Sequence, residues 1–272
     1  MSQIGMEIIA EIGENHLGNL DLALAMVTQA AAAGADYCKF QSYRGEDVAP
    51  TDPERDWFTR VAVSDDAHRR LQAHCQASGV QFLSSPFSVE RTEFLFSLGL
   101  RTIKIASSEL TNRDVLRAVN ERAPRVFLSV GLADEEEIVE ALTRLSRCDV
   151  TLLHCVSLYP APPARINLRS IPYLRERFGT RVGFSDHTVG YHAALAARAL
   201  GAEVIEKHFT LSHELPGTDH VLSLTPAQFA EMARCLREVE AMLGVPGKPV
   251  SKEEQAMIPL MRGRFAHGLG PA

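Results

Sequence analysis

Two lysines stand where a lysine is costly. Lys39 lies in Tyr37-Cys38-Lys39-Phe40 and Lys104 in Thr102-Ile103-Lys104-Ile105, both otherwise apolar runs. An ammonium withdrawn from water needs an anionic partner. Hydroxyl groups follow the same kind of run elsewhere: Ser84 and Ser85, Ser107 and Ser108, Ser129, Ser157 with Tyr159, and Ser185. Ammonium, hydroxyl and backbone N–H donors together suit a phosphate or a carboxylate. The chain has no G-x-x-x-x-G-K-[ST] loop and no Gly-rich dinucleotide fingerprint after its first apolar run, so the anion would not be held in either of those ways. A second chemistry is suggested by His187 and His208, which follow consecutive apolar runs. If those runs are neighbouring strands, about 4.8 Å apart, both imidazoles can reach one metal. Nearby carboxylates, Glu11, Asp186 and Asp219, would suit Mn²⁺, Fe²⁺ or Zn²⁺. His16, His154 and His220 are further candidate ligands.

These residues need elements that bring them together. Short β-branched runs recur at Met6–Ile12, Asp36–Gln41, Val80–Ser84, Thr102–Ala106, Arg125–Val130, Val150–His154, Arg181–Ser185 and Glu203–Glu206. Near-continuous apolar character is expected of parallel strands covered by helices. Amphipathic stretches separate them, with legible caps: Asn19, Ser64 and Ser88 at helix starts, Thr111 with Asp114 as a capping box, and Gly34, Gly79, Gly99, Gly179 and Gly201 at helix ends. Asp134–Arg147 aligns Ile138, Leu142 and Leu145 on one face, and Thr225-Pro226 opens a last helix that runs to Gly244. Strand followed by helix, repeated to a count of eight, predicts an α/β fold of the (β/α)8 TIM-barrel type rather than an open doubly wound sheet. Residues 1–250 are expected to form one catalytic barrel domain and 251–272 a C-terminal tail. The irregular segment Ser42–Val63 is expected to be a long βα loop, a kind of loop that is usually functional. In such a barrel the C-terminal strand ends converge on one pocket, and every run here delivers an ionisable or hydroxyl group at that end.

Composition narrows the classes. The chain has 272 residues with 28 basic against 34 acidic side chains, a net charge of −6. That argues against a nucleic-acid partner. No apolar run approaches the roughly 20 residues of a bilayer span. Met1-Ser2-Gln3-Ile4-Gly5 lacks the basic start and apolar core of a secretory leader. Five widely spaced cysteines without a C-x-x-C pair predict reduced thiols and a cytoplasmic location.

The motifs resemble those of the sialic acid synthases, which condense phosphoenolpyruvate with an N-acetylated hexosamine. The similar segments run from Ala10-Glu11-Ile12-Gly13-Glu14-Asn15-His16 through Gly34-Ala35-Asp36 with Lys39-Phe40-Gln41, and Ser85-Pro86-Phe87. They continue through Lys104-Ile105-Ala106-Ser107-Ser108-Glu109, His154-Cys155 with Tyr159-Pro160, and Gly183-Phe184-Ser185-Asp186-His187-Thr188. The last are Glu206-Lys207-His208-Phe209-Thr210 and Gly217-Thr218-Asp219-His220. The resemblance implies that Lys39, Ser85, Lys104, Ser107, Ser129 and Ser185 bind phosphoenolpyruvate. It implies that His187 and His208 hold a divalent metal, usually manganese, which would act as a Lewis acid on the sugar aldehyde. Glu11 matches a catalytic carboxylate, as base or as electrostatic stabiliser, and Tyr159 and Asp219 match sugar contacts.

Three departures bear on the sugar. Ser157 stands where some bacterial members have Asn, and Ser85 and Val130 replace a common Thr. Family members usually carry a small C-terminal antifreeze-like domain that reaches across a dimer, whereas this sequence ends at Gly268-Leu269-Gly270-Pro271-Ala272. The sugar site is therefore expected to be completed differently, supplied by another chain, or incomplete; a homo-oligomer is a separate expectation. Two other readings are a phosphoenolpyruvate-dependent synthase of another 3-deoxy-sugar acid and a ligand-binding barrel without turnover.

Overall fold

Strand alternation decides where each side chain of this protein goes. The computed structural model describes residues 5–262. The stretches Met1–Ile4 and Gly268–Ala272, considered above, lie outside the described residues. Eight strands form one sheet: β1 (Glu7–Gly13), β2 (Tyr37–Ser42), β3 (Gln81–Pro86), β4 (Thr102–Ile105), β5 (Arg125–Ser129), β6 (Asp149–His154), β7 (Arg181–Asp186) and β8 (Val204–His208). Their order is β3-β2-β1-β8-β7-β6-β5-β4, and every ladder is parallel. Among the described residues no ladder joins β3 to β4, so the eight-stranded barrel is nearly rather than fully closed. The expected fold class is thus the observed one.

The helices are α1 (Leu20–Ala32), α2 (Arg55–Val61), α3 (Asp65–Ala77), α4 (Val89–Ser97), α5 (Arg113–Arg122), α6 (Glu135–Arg144), α7 (Ser170–Phe178), α8 (His192–Ala199) and α9 (Pro226–Leu243). Asn19, Ser64 and Ser88 cap α1, α3 and α4 through their side chains. Asp134 and Glu137 form a reciprocal capping box on α6. Thr111 does not cap α5 as expected. Asn112 does, because its amide oxygen reaches the Val115 N–H while its NH₂ donates to Glu109. The segment after β2 is not wholly irregular either: α2 forms within it, pinned by Phe58 against Tyr43 and by Trp57 against Glu14. These are tertiary contacts that local propensity does not reveal. Residues up to 242 form one compact unit and those from 243 a second. In the second, Ser251 and Glu254 cap a helix α10 (Lys252–Met261) where a plain tail was expected.

The period of two along each strand sorts the side chains into two cores. Ile8, Ala10 and Ile12 of β1, with Val126 and Leu128 of β5, join the large cluster between sheet and helices. Ile9, Tyr37, Leu83, Phe127, Leu153 and Val204 form a separate cluster inside the barrel. Below it the base is sealed by Arg125, which grips both oxygens of Glu7 and stacks 4.5 Å over Phe127. Above it the same inward positions turn polar.

The interior leaves no slack at β7. A Cβ on Gly183 would lie 2.6 Å from Leu153 Cδ2 and 2.6 Å from the Val204 carbonyl oxygen. Backbone cannot yield as a side-chain tip can. Gly183→Ala should therefore destabilise the fold by ~1–3 kcal/mol, a drop of several degrees in melting temperature by calorimetry or circular dichroism. An unchanged melting temperature would contradict the packing described.

Candidate active site

Beyond the apolar layer the eight strands present their next inward side chains: Glu11, Lys39, Ser85, Lys104, Ser129, Cys155, Ser185 and Glu206, all buried. Register makes them neighbours. Glu11 faces Lys39 on one side and His208 on the other, and Ser185 faces Glu206. Lys39 Nζ lies 2.7 Å from Glu11 Oε2 and 3.9 Å from Glu206 Oε2, and Lys104 Nζ lies 3.4 Å from Glu206 Oε1. The Ser185 hydroxyl donates to Glu206 Oε1 at 2.7 Å. The lysines' anionic partners, sought above in a ligand, are thus partly built in.

The electrostatics of this layer are uneven. Burial alone would lower the Lys39 ammonium, but Glu11 and Glu206 outweigh it and hold the lysine charged. Lys104 is lowered by burial, only partly offset by Glu206. Burial also opposes ionisation of Glu206, yet Lys104, Lys39 and the Ser185 hydroxyl bring it below the usual carboxylate range. Glu11 moves the other way: burial, with repulsion from Glu206, outweighs Lys39 and pushes it up. One carboxylate is therefore a fixed charge and the other exchanges a proton near neutrality, a division that suits acid–base chemistry.

The two imidazoles close the ring. His187 and His208 have ring centroids 5.5 Å apart, and Tyr159 packs 4.2 Å from His187. Burial lowers His187 to about 4, with His208 adding to the effect, and lowers His208 to about 3, with Lys39 adding. Both rings are therefore neutral at pH 7, the form that binds a metal. His187 Nδ1 donates to the Val156 carbonyl at 2.8 Å, which leaves its Nε2 as the acceptor. His208 Nδ1 is buried with no hydrogen bond made, although Asp219 Oδ2 stands 3.3 Å away. These donors fit a divalent cation carried by two imidazoles, with water or substrate completing it. Among the described residues no group of three or more His, Cys, Asp or Glu is arranged around a metal position.

Glu11, Lys39, Lys104, Ser107, Ser129, Tyr159, Ser185, His187, His208 and Asp219 all line one cavity of about 440 Å³. Ser85 does not line it; its Oγ lies 3.5 Å from Lys39 Nζ and supports that lysine from behind. Asp186 is on the wrong face for the metal. It pairs at 3.2 Å with Lys207, accepts from the Thr188 hydroxyl, and is fully buried on the outer side of the sheet. His16, His154 and His220 are likewise engaged elsewhere, with the Gly18 N–H, the Ile166 carbonyl and the Thr210 hydroxyl. Glu206 is a residue that sequence reasoning noted at a strand end but gave no role, although its spacing of two from His208 places both on one face. Glu14, Gln41, Glu54, Phe58, Cys155 and Thr218 also line the cavity.

Burial of neutral histidines makes the fold acid-sensitive. His16, His68 and His187 titrate at about 4 and His208 at about 3 in the folded protein, against roughly 6.5 when unfolded. Lowered folded values mean that this stabilisation is complete above about pH 6.5 and is lost on acidification toward 4. Glu11 and Glu14, raised by burial, act oppositely over part of that range. Four imidazoles outweigh two carboxyls, so the melting temperature should fall between about pH 7 and pH 5. A flat or rising profile would show that these rings are not buried neutral.

Known proteins share this architecture. The model of the NeuB family matches residues 26–248. The N,N'-diacetyllegionaminic acid synthase of Campylobacter jejuni is 38% identical over 94% of this chain and 82% of its own length. The human N-acetylneuraminate-9-phosphate synthase is 33% identical over 92% of this chain and 74% of its own. The crystal structure of the N-acetylneuraminic acid synthetase of Leptospira borgpetersenii, in complex with citrate, superimposes with a TM-score of 0.90 at 31% identity, covering 98% of this chain and 97% of that one. With its barrel, its inward polar layer and this breadth of match, the chain belongs to the NeuB family.

Proposed function

We propose that the cavity condenses phosphoenolpyruvate with an N-acetylated hexosamine, N-acetylmannosamine or a related sugar, to a nonulosonic acid with release of phosphate. Membership of the NeuB family makes the reaction a phosphoenolpyruvate-dependent C–C bond formation that yields a nonulosonic acid. The observation that carries the residue assignment is the convergence in one cavity of two buried lysines, the hydroxyls of Ser107, Ser129 and Ser185, Glu11 and two neutral imidazoles.

Lys39 and Lys104, with the hydroxyls of Ser107, Ser129 and Ser185, hold the phosphate and carboxylate of phosphoenolpyruvate, and Ser85 steadies Lys39. Glu206 keeps both ammonium groups aimed into the cavity. Carbon 3 of the enol forms the new bond to the sugar's carbonyl carbon as the C=O π bond opens, and that oxygen takes the proton of the Glu11 carboxyl to become a hydroxyl. Positive charge then develops at carbon 2, and water adds there. A Glu11 oxygen accepts the proton from that water. The bond from carbon 2 to the phosphate's bridging oxygen breaks last: the proton of the new carbon-2 hydroxyl leaves with the phosphate, and a keto group remains. Tyr159 and Asp219 contact the sugar. His187 and His208 would hold a divalent cation, for which we propose Mn²⁺, and it would polarise the sugar's carbonyl oxygen. Among the described residues no helix is long and apolar enough to cross a membrane, and all five cysteines are free thiols; we place the reaction in the cytoplasm.

Incubation with phosphoenolpyruvate, Mn²⁺ and a panel of N-acetylated hexosamines should release inorganic phosphate in proportion to nonulosonic acid formed. Removing one charged partner of the developing charge typically costs ~10²–10³ in rate. Lys104→Ala and His187→Ala should each lose at least that much in kcat while keeping the far-UV circular dichroism of the barrel. Full activity in His187→Ala would refute the metal assignment, and no phosphate release from folded, metal-loaded protein with any sugar would refute the reaction.

A further inference from the structure

The cavity lining divides by charge and by element. Lys39 and Lys104 lie within β2 and β4, while Glu14, Glu54 and Asp219 line the cavity from the segments beyond the strand ends, together with Thr218 and Phe58. Lys39 and Lys104 are the two cationic residues among the described lining residues, and both are already paired with Glu11 and Glu206. The three carboxyl groups sense one another, since Asp219 and Glu54 both oppose ionisation of Glu14. Carboxylates accept hydrogen bonds from sugar hydroxyls and amides, but they repel a phosphomonoester, which carries about −1.5 to −2 charges.

Glu14 is held in place. It is buried, and the Trp57 indole N–H donates to its Oε2 at 2.5 Å. Trp57 itself lies on α2, which Phe58 anchors against Tyr43 in an edge contact at 5.8 Å. The nearby Arg60 guanidinium stacks 4.9 Å over Trp57 and does not line the cavity, so it offers no anion contact there. The long segment after β2 thus has a use: it carries a tryptophan that fixes one carboxyl group in the cavity wall.

We propose that Glu14, positioned by Trp57, is the residue that sets the acceptor class, selecting an unphosphorylated amino sugar and excluding its phosphate ester. This inference rests on the condensation proposed above and adds to it the charge state of the sugar. The relevant comparison is kcat and KM for N-acetylmannosamine and for its 6-phosphate, with phosphoenolpyruvate and Mn²⁺. Glu14 is raised by burial to about 7, so assays at about pH 8 keep it ionised.

The intact enzyme should favour the free sugar by at least about tenfold in kcat/KM, chiefly through KM, because like charges in one site are costly. Glu14→Gln should cut that ratio several-fold, Glu14→Lys should cut it further or reverse it, and Trp57→Phe should lie between wild type and Glu14→Gln. A wild-type preference for the 6-phosphate, or a ratio unmoved in Glu14→Gln, overturns the assignment. Absence of turnover with either sugar counts against the condensation itself. Calorimetry of the two sugars against the intact protein with phosphoenolpyruvate and Mn²⁺ then decides the acceptor class separately: weaker binding of the 6-phosphate supports the charge filter, and equal or tighter binding refutes it.

Discussion

Four buried charges in one layer govern this molecule. Lys39 bridges Glu11 and Glu206, and Lys104 leans on Glu206. Losing one member of such a set leaves a partner uncompensated, commonly at a cost of ~3–5 kcal/mol. The arrangement is tolerable because each charge comes from a different strand of the barrel, and the ladders hold those strands in register. A slip of one residue would send every one of these side chains to the opposite face. Fold and site therefore share one requirement, and the same cancellation leaves the cavity receptive to an anion without a large net charge of its own.

The outer face of the sheet supports this layer from behind. Lys207 and Asp186 form a fully buried pair between β7 and β8, and Lys207 also donates to the Thr188 carbonyl. Each is the immediate chain neighbour of an imidazole-bearing residue, His208 and His187. Alternation puts the ion pair on the outer face and the two imidazoles in the cavity, so adjacent residues serve opposite sides of the sheet. Asp186, attractive as a ligand when only its position in the chain is considered, is consumed by that support.

Most of the barrel was legible because its signal is local. Apolar runs, cap residues and end glycines depend on contacts within a few positions, and they located all eight strands and eight of the flanking helices. The failures have a common cause. Helix α2 depends on Trp57 meeting Glu14 from beyond β1 and on Phe58 meeting Tyr43 across the loop, and the Asn112 cap depends on Glu109 closing the turn. Glu206 was visible as a strand-end residue, but its importance lies in touching two lysines more than 100 positions away.

From the sequence alone follow the eight βα units, the family resemblance, and the identities of the residues that converge at the strand ends, because residue type and period are properties of a linear string. The tertiary structure decided how those residues share their work. It made Glu206 a fixed anion and Glu11 a proton-exchanging one, kept His187 and His208 neutral, turned Asp186 away, and brought Glu14 into the cavity wall. Each of those outcomes depends on burial and on distances between strands and loops, and neither quantity exists until the barrel has folded around them.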